Sequence, residues 1–306
     1  MRVLIIGATG FIGRELIKEL EKAGHSPVAV SRNALKAAKI LGSQAEIIEW
    51  DGASAVALGK KIAGFEAIIN LAGENIASGR WTCGRKKLIT ESRVKTGRLL
   101  TEAVTLSSEK PTILIQGSAI GYYGTPVNLP ADENQPAGQG FIADLTRDWE
   151  FSIAPLGHMI PRIVFIRTGL VLGKDGGLLK KMILPFTFYT GSVIGSGRQW
   201  MSWIHIRDEV RAIRFLLENS SCSGAYNLAA PDPVTMKAFM SSLGKILKKP
   251  VWLKVPGFLL EIALGKMAEE TVLASQNIYP GKLLKAGFEF EYPDLTDALE
   301  NLLLTK

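Results

Sequence analysis

The chain opens on a short apolar run, Val3-Leu4-Ile5-Ile6, that passes directly into Gly7-Ala8-Thr9-Gly10-Phe11-Ile12-Gly13. An uninterrupted apolar run of this length reads as a strand buried on both faces. Phe11, Ile12, Leu16, Ile17 and Leu20 then recur at helical spacing, and Gly24 stands where a helix stop belongs. Strand, glycine turn and helix in immediate succession make the first half of a βαβ unit. Gly7 and Gly10 let the backbone turn tightly and approach a pyrophosphate, and Gly13 lets the helix pack close to the sheet. The helix N-terminus, with Thr9, Phe11 and Ile12 in the turn, offers free N–H groups and partial positive charge to phosphates. The spacing is G-x-x-G-x-x-G rather than G-x-G-x-x-G, which points to one branch of dinucleotide binders. The same segment superficially suggests a signal peptide. The run breaks at Gly7 and no small-residue cleavage site follows, so it is read as structure and the protein as cytoplasmic.

Further apolar segments at 27–30, 45–49, 67–71, 112–116 and 163–167 read as strands. Amphipathic stretches at 86–106 and 144–153 read as helices. This alternation predicts an α/β fold, a Rossmann-type doubly wound parallel sheet covered on both faces. After Gly169 the texture changes. Residues 173–177 and 191–197 are glycine-rich, and helical patterns return at 208–218, 235–247 and 294–303. The expected organisation is a nucleotide-binding domain over 1–170, with 203–228 returning to it, and a smaller α+β substrate-binding portion over 171–306. No internal repeat is visible.

The 306 residues are 47% hydrophobic and 21% charged, which excludes a disordered tail protein. No apolar run approaches the ~18 residues of a membrane span, so no membrane partner is expected. The two cysteines, Cys83 and Cys222, are far apart, which argues against a disulfide framework and fits a reducing compartment. Net charge is +7, from 36 basic and 29 acidic residues, and raises nucleic acid as a partner. Yet the basic residues are dispersed and the densest cluster, Arg85-Lys86-Lys87, is short, so no nucleic-acid partner is expected. A cofactor carrying several phosphates also favours local positive charge.

The end of the second strand indicates which dinucleotide. An NAD site usually has an acid there to bond the ribose 2′-hydroxyl. This chain has Val30-Ser31-Arg32. Arg32 can pair with a 2′-phosphate in a charge-assisted fork, and Ser31 adds a hydroxyl without repelling it. NADP(H) is therefore the expected cofactor, the alternative being that Arg32 is a solvated loop charge. At the fourth strand end, Asn70-Leu71-Ala72-Gly73 lets a flat ring or ribose lie against the backbone. Asp51 serves either as an acceptor for the adenine amino group or as a turn former.

These motifs together, GATGFIG, NLAG, GSAIGYYG and RTGLVLG, resemble the extended short-chain dehydrogenase/reductases, NAD(P)-dependent enzymes with nucleotide-sugar epimerases and dehydratases among their relatives. SRN, NLAGENIA, ESR at 91–93 and GSGRQWMSWIHIRDEV narrow the match to the YfcH-like epimerase-family branch. The tail from VPGFLLEIALGKMAEE to PGKLLKAGFEFEYPDLTDAL resembles that branch's small C-terminal domain. The resemblance implies that the glycine turn holds the pyrophosphate, Ser31 and Arg32 the 2′-phosphate, and Leu71, Ala72 and Gly73 the adenosine and ribose. It further implies that Arg93 contacts the cofactor, that Val171 lies near the nicotinamide, and that the protein acts on a small-molecule substrate. Dimers are common in this superfamily, which makes a homodimer an expectation of the resemblance.

In such enzymes a Ser or Thr bonds the reacting oxygen, and a Tyr with a Lys four residues later is the acid/base. Ser118, just after the fifth strand, matches the serine by context. The Tyr-x-x-x-Lys pair is missing: aligned on Trp149-Glu150, the tyrosine position falls at Phe141 or Ile142 and the lysine position at Leu145 or Thr146. Tyr122 and Tyr123, on the same loop as Ser118, are the substitutes to test, with Lys174, Asp175 and Asp144 behind them. His205, in an alternating apolar strand, reads as a core histidine and Asp208 as a helix cap. Arg198, in a glycine-rich loop, can hold an anionic group. The three histidines lack metal-ligand spacing, so no metal is expected. The reading is an NADP(H)-binding oxidoreductase or epimerase of small polar or nucleotide-sugar-like metabolites. The alternative is a catalytically impaired NADP(H)-binding regulator or scaffold.

Overall fold

The computed structural model describes residues 1–42 and 45–304. Seven strands form one fully parallel sheet: β1 (Arg2–Ile6), β2 (Ser26–Ser31), β3 (Glu46–Glu49), β4 (Ala67–Asn70), β5 (Ile113–Ala119), β6 (Arg162–Thr168) and β7 (Gly224–Leu228). Their order is β3-β2-β1-β4-β5-β6-β7. The order reverses between β1 and β4, which opens a crevice beyond their carboxyl ends.

Alternation along β1 decides what covers each face. Val3 and Ile5 pack with Leu16, Ile17 and Leu20 of α1 (Phe11–Lys22) and with Val210 and Ile213 further along the chain. Leu4 and Ile6 pack on the opposite face, with Leu58, Ile62, Leu100 and Ala103. These four apolar residues of β1 are buried, each contributing roughly 1.5–3 kcal/mol. Around this sheet α2 (Ala34–Leu41) and α3 (Ala55–Ile62) follow β2 and β3. Helix α4 (Cys83–Thr90) runs on through a π-type segment, Glu91–Lys95, into α5 (Thr96–Leu106), and α6 (Phe141–Phe151) precedes β6.

The second half adds α7 (Leu179–Thr187), α8 (Ile206–Glu218), α9 (Met236–Leu247), α10 (Gly257–Leu264), α11 (Gly281–Lys285) and α12 (Leu295–Leu304). Residues 203–228 divide between two places. Gly224–Leu228 supplies the seventh strand of the large sheet, while Trp203–His205 pairs with Leu170–Gly173 in a small one. Three other pairs, Gly191–Ile194 with Val251–Val255, Trp200–Met201 with Val234–Thr235 and Val127–Ala131 with Gln276–Ile278, add further small sheets.

Two helix starts differ from the sequence expectation, for one reason. Helix α6 begins at Phe141 although Gly140 has no capping side chain. Glu270 accepts from Ile142 N at 2.9 Å instead. Asp208 does not cap α8. The ring of His205 does, its Nδ1 accepting from Arg207 N at 3.0 Å, and Asp208 accepts from Glu291 N and Tyr292 N, each at 2.8 Å. Caps and clamps supplied from far along the chain leave no local signal.

Beside Asp208, Glu209 is fully buried and accepts from Thr168 Oγ1 at 2.8 Å, while its second oxygen has no partner among the described residues. Burial, partly offset by that hydrogen bond, pushes its carboxyl up to about 8 from 4.5. Between those values the native state holds a proton that the unfolded chain has released. This contribution to stability is therefore complete at low pH and is lost as pH rises towards the folded value. Glu209→Gln removes the titration, so at pH ~8 the variant is expected to be the more stable by on the order of 2–4 kcal/mol. The gap should close near pH ~5. Urea midpoints that coincide at both pH values would contradict this.

Candidate functional site

The turn after β1 sits at the crevice. Gly7 has φ +88°, and a Cβ there would lie 2.7 Å from the Leu71 carbonyl carbon at the β4 exit. A Cβ on Gly13 would lie 2.5 Å from the Gly7 oxygen. Glycine is thus required at both positions by backbone contact, and side chains would fill the cradle. Helix α1 starts after Gly10 with no side-chain cap and no acidic residue in its first turn, which leaves its N–H groups available to an anion. Thr9 and Ile12 are half-buried in the turn. The ring of Phe11 points away into 173–177, where Cβ atoms on Gly173 and Gly176 would each come within 2.4 Å of it.

At the β2 exit, Ser31 Oγ accepts from Asn33 N at 3.2 Å and donates to Asn33 O at 3.1 Å, shaping the turn. Arg32 is exposed, its stem beside Gly52, and among the described residues its guanidinium has no hydrogen-bond or ion-pair partner. Asp51 Oδ1 accepts from Ala53 N at 2.9 Å and Ser54 N at 3.0 Å, the geometry of a turn former, and these bonds hold its carboxyl below the usual range.

The β4 exit is fixed by a buried amide chain. Asn70 Nδ2 donates to Gln116 Oε1 at 3.0 Å, and Asn70 Oδ1 accepts from Ala72 N at 3.2 Å. Beyond it the ESR segment straps the next loop. Ser92 Oγ accepts from Glu74 N and Arg93 Nη1 donates to Glu74 O, both at 2.9 Å, and Arg85 bonds the Glu74 carboxylate, Asn75 O and Ser78. The Arg93 guanidinium lies against Gly73, 2.9 Å from where a Cβ would stand, and over the Trp149 ring at 5.0 Å. Burial brings it down to about 10, still a cation at neutral pH.

Beneath the β5 exit is a network that the sequence reading missed. Ser118 Oγ donates to Glu150 Oε1 at 2.6 Å. Arg167 grips Glu150 with two bonds of 2.9 Å and donates to the Tyr123 hydroxyl at 3.0 Å. Tyr123 in turn donates to Asn227 Oδ1 at 2.7 Å. Burial, partly offset by Arg167, pushes the Tyr123 phenol up to about 12. Tyr122 differs: its ring lies 3.5 Å below the Arg167 guanidinium, and its hydroxyl has no hydrogen-bond partner among the described residues.

On α6, the positions of the missing pair are apolar or closed. Phe141 meets Trp81 edge-on at 4.9 Å, with Lys86 Nζ 4.6 Å above its ring. Ile142 packs against Gly121, Leu145 is buried, and Thr146 Oγ1 donates to Ile142 O at 2.6 Å. Asp144 pairs with Arg147 at the surface. Val171 pairs with Ile204 in the small sheet, and its carbonyl oxygen would stand 2.5 Å from a Cβ on Gly177. His205 is a buried ring stacked on Tyr292 at 4.1 Å, away from the β5 network. Lys174 and Asp175 lie in the turn after Leu170–Gly173, and Arg198 in the loop before Trp200. No cluster of metal-ligating side chains occurs among the described residues.

Comparison with known proteins agrees with this architecture. Residues 3–140 match the NAD dependent epimerase/dehydratase family, and residues 255–302 match a domain of unknown function, DUF1731. The chain is 37% identical to an epimerase family protein, the SDR39U1 homolog of Arabidopsis thaliana, described as chloroplastic, over 99% of this chain and 87% of that one. It is 36% identical to the epimerase family protein YfhF of Bacillus subtilis, over 99% and 98% of the two chains. The crystal structure of human epimerase family protein SDR39U1 (isoform 2) with NADPH superposes with a TM-score of 0.89 at 30% identity, covering 100% of both chains. Likeness that runs from the glycine turn to the final helix, at these identities, assigns the chain to the epimerase family, in the branch that joins an NAD-dependent epimerase/dehydratase fold to a C-terminal DUF1731 domain.

Proposed function

We propose that the protein binds NADP(H) along the β2, β1 and β4 exits and acts on a small polar or nucleotide-sugar-like metabolite as a reductase, dehydrogenase or epimerase. The observation that carries this is the backbone cradle at Gly7 and Gly13 together with the guanidinium of Arg32, one strand away and unpartnered among the described residues. The NADPH in the human relative's structure supports it. In this reading Gly7, Thr9, Gly10, Phe11, Ile12 and Gly13 border the pyrophosphate through the backbone, and Ser31 and Arg32 take the 2′-phosphate. Leu71, Ala72, Gly73 and Arg93 line the adenosine and ribose, and Val171 the nicotinamide. Asp51 contributes through the turn it shapes.

Bound nicotinamide supplies or accepts a hydride. The chain's own part is to orient the substrate oxygen and move a proton. Ser118 already donates to Glu150, so towards a ligand it offers lone pairs and orients a substrate hydroxyl by accepting from it. Tyr122, whose phenol is uncommitted, is the proton-moving group of choice over Tyr123, whose hydroxyl is held on both sides.

A second reading, an NADP(H)-binding regulator without turnover, is favoured by the closed positions on α6. Mixing the protein with NADPH and a metabolite panel while following reduced-nicotinamide absorbance separates the two. Turnover that falls at least about 100-fold in Tyr122→Phe and Ser118→Ala, with NADPH affinity unchanged, is the expected result. Tight NADPH binding with no turnover across the panel would support the regulator.

A further inference from the structure

We propose that one end of the C-terminal portion, where α7, α9 and the strand Val251–Val255 meet, docks on an anionic lipid surface. Three large aromatic side chains stand out into solvent there: Phe188 is 72% exposed, Tyr189 58% and Trp252 68%. Two of them are held together, since Trp252 Nε1 donates to the Tyr189 carbonyl at 2.9 Å, and Lys249 Nζ lies 3.2 Å from the centre of the Tyr189 ring. Next to them, Lys245, Lys248 and Lys249 line a shallow depression with Ser241, Gly244 and Val251. None of these three ammonium groups pairs with a carboxylate among the described residues. Tyr189 and Lys248 have φ of +58° and +53°, the only described non-glycine residues in the left-handed region. Backbone hydrogen bonds hold both at helix ends, Tyr189 N donating to Phe186 O at 3.0 Å and Lys248 N to Lys245 O at 3.1 Å.

Exposed aromatic rings beside lysines that have no carboxylate partner among the described residues match the chemistry of a lipid interface. Aromatic rings settle at headgroup level, and ammonium groups meet the phosphates. The strand runs on through Pro256 into α10, which buries none of its residues and exposes Phe258, Leu259 and Ile262. A second copy of the chain is a poorer occupant, because a two-fold contact would bring two copies of the same lysine-rich, like-charged patch together. No described helix is long and apolar enough to cross a membrane, so this is surface association. The sequence expectation of no membrane partner rested on spanning segments alone. None of these residues belongs to the proposed cofactor groove.

The test is flotation of the whole protein with vesicles of phosphatidylcholine alone or mixed with phosphatidylglycerol. Binding is expected to the mixed vesicles only, and to weaken as salt is added. Lys245→Glu, Lys248→Glu and Lys249→Glu together should lower the partition coefficient roughly 100-fold, and Phe188→Ser with Trp252→Ser roughly 10-fold. NADPH affinity should be unchanged in both variants, which separates loss of docking from loss of fold. Failure to float with anionic vesicles, or variants that float like the parent, would overturn the proposal. So would dimerisation in sedimentation that both variants abolish, since that assigns the face to a second copy.

Discussion

Arg167→Met is expected to destabilise the protein by roughly 3–5 kcal/mol, among the largest effects of any single substitution. The Arg167 side chain is 6% exposed and that of Glu150 12%. Both Glu150 oxygens are bonded to Arg167, and among the described residues only one has a second donor, Ser118. Removing the cation leaves a carboxylate in a poorly solvated place, and Tyr123 loses the donor to its hydroxyl. Adding Glu150→Gln to Arg167→Met should recover more than half of the loss, because the neutral amide has no charge to strand. Urea denaturation of the two single variants and the double variant measures both values. A cost below about 1 kcal/mol for Arg167→Met would mean that the pair is better solvated than its burial indicates.

Gly7→Ala should lower NADPH affinity by at least about 100-fold. Two costs combine. An alanine at φ +88° carries a strain of roughly 1–2 kcal/mol, and its Cβ would stand 2.7 Å from the Leu71 carbonyl carbon, which is backbone and does not rotate away. Relieving that contact moves the turn by some tenths of an ångström and pulls its N–H donors out of line with a phosphate. About 3 kcal/mol in all corresponds to that fold-change. Gly24→Ala is the control. It has a similar φ of +80° but nothing within 4 Å of the added Cβ, so it should cost stability and leave NADPH binding intact. Equal affinities for Gly7→Ala and the parent would remove the turn from the cofactor site.

The elements built from neighbouring residues were legible in the sequence. The glycine turn, the parallel strands and most of the helices each depend on a local pattern, and Gly7 and Gly13 meet backbone because their spacing places them there. The network under β5 was not legible as a network. Ser118, Glu150, Arg167 and Asn227 come from different elements and meet only when β5, α6, β6 and β7 align. One signal for it did exist: Arg167 interrupts the apolar run Ile163-Val164-Phe165-Ile166, and a charge in a buried strand requires a buried partner. The same reasoning assigns Tyr123 to that network and leaves Tyr122 for the ligand, a distinction that loop position alone did not draw. The π-type segment that carries Arg93 and the cap that Glu270 supplies to α6 have no signature in local periodicity.

Calorimetric titration of NADPH and of NADH into the parent protein and into Arg32→Ala addresses the central claim most directly. The parent should take NADPH at least about tenfold more tightly than NADH, through the charge-assisted fork to the 2′-phosphate, and Arg32→Ala should erase that preference while leaving NADH binding as it was. Equal affinity of the parent for the two nucleotides, or heat from neither, would contradict the assignment of this groove to NADP(H).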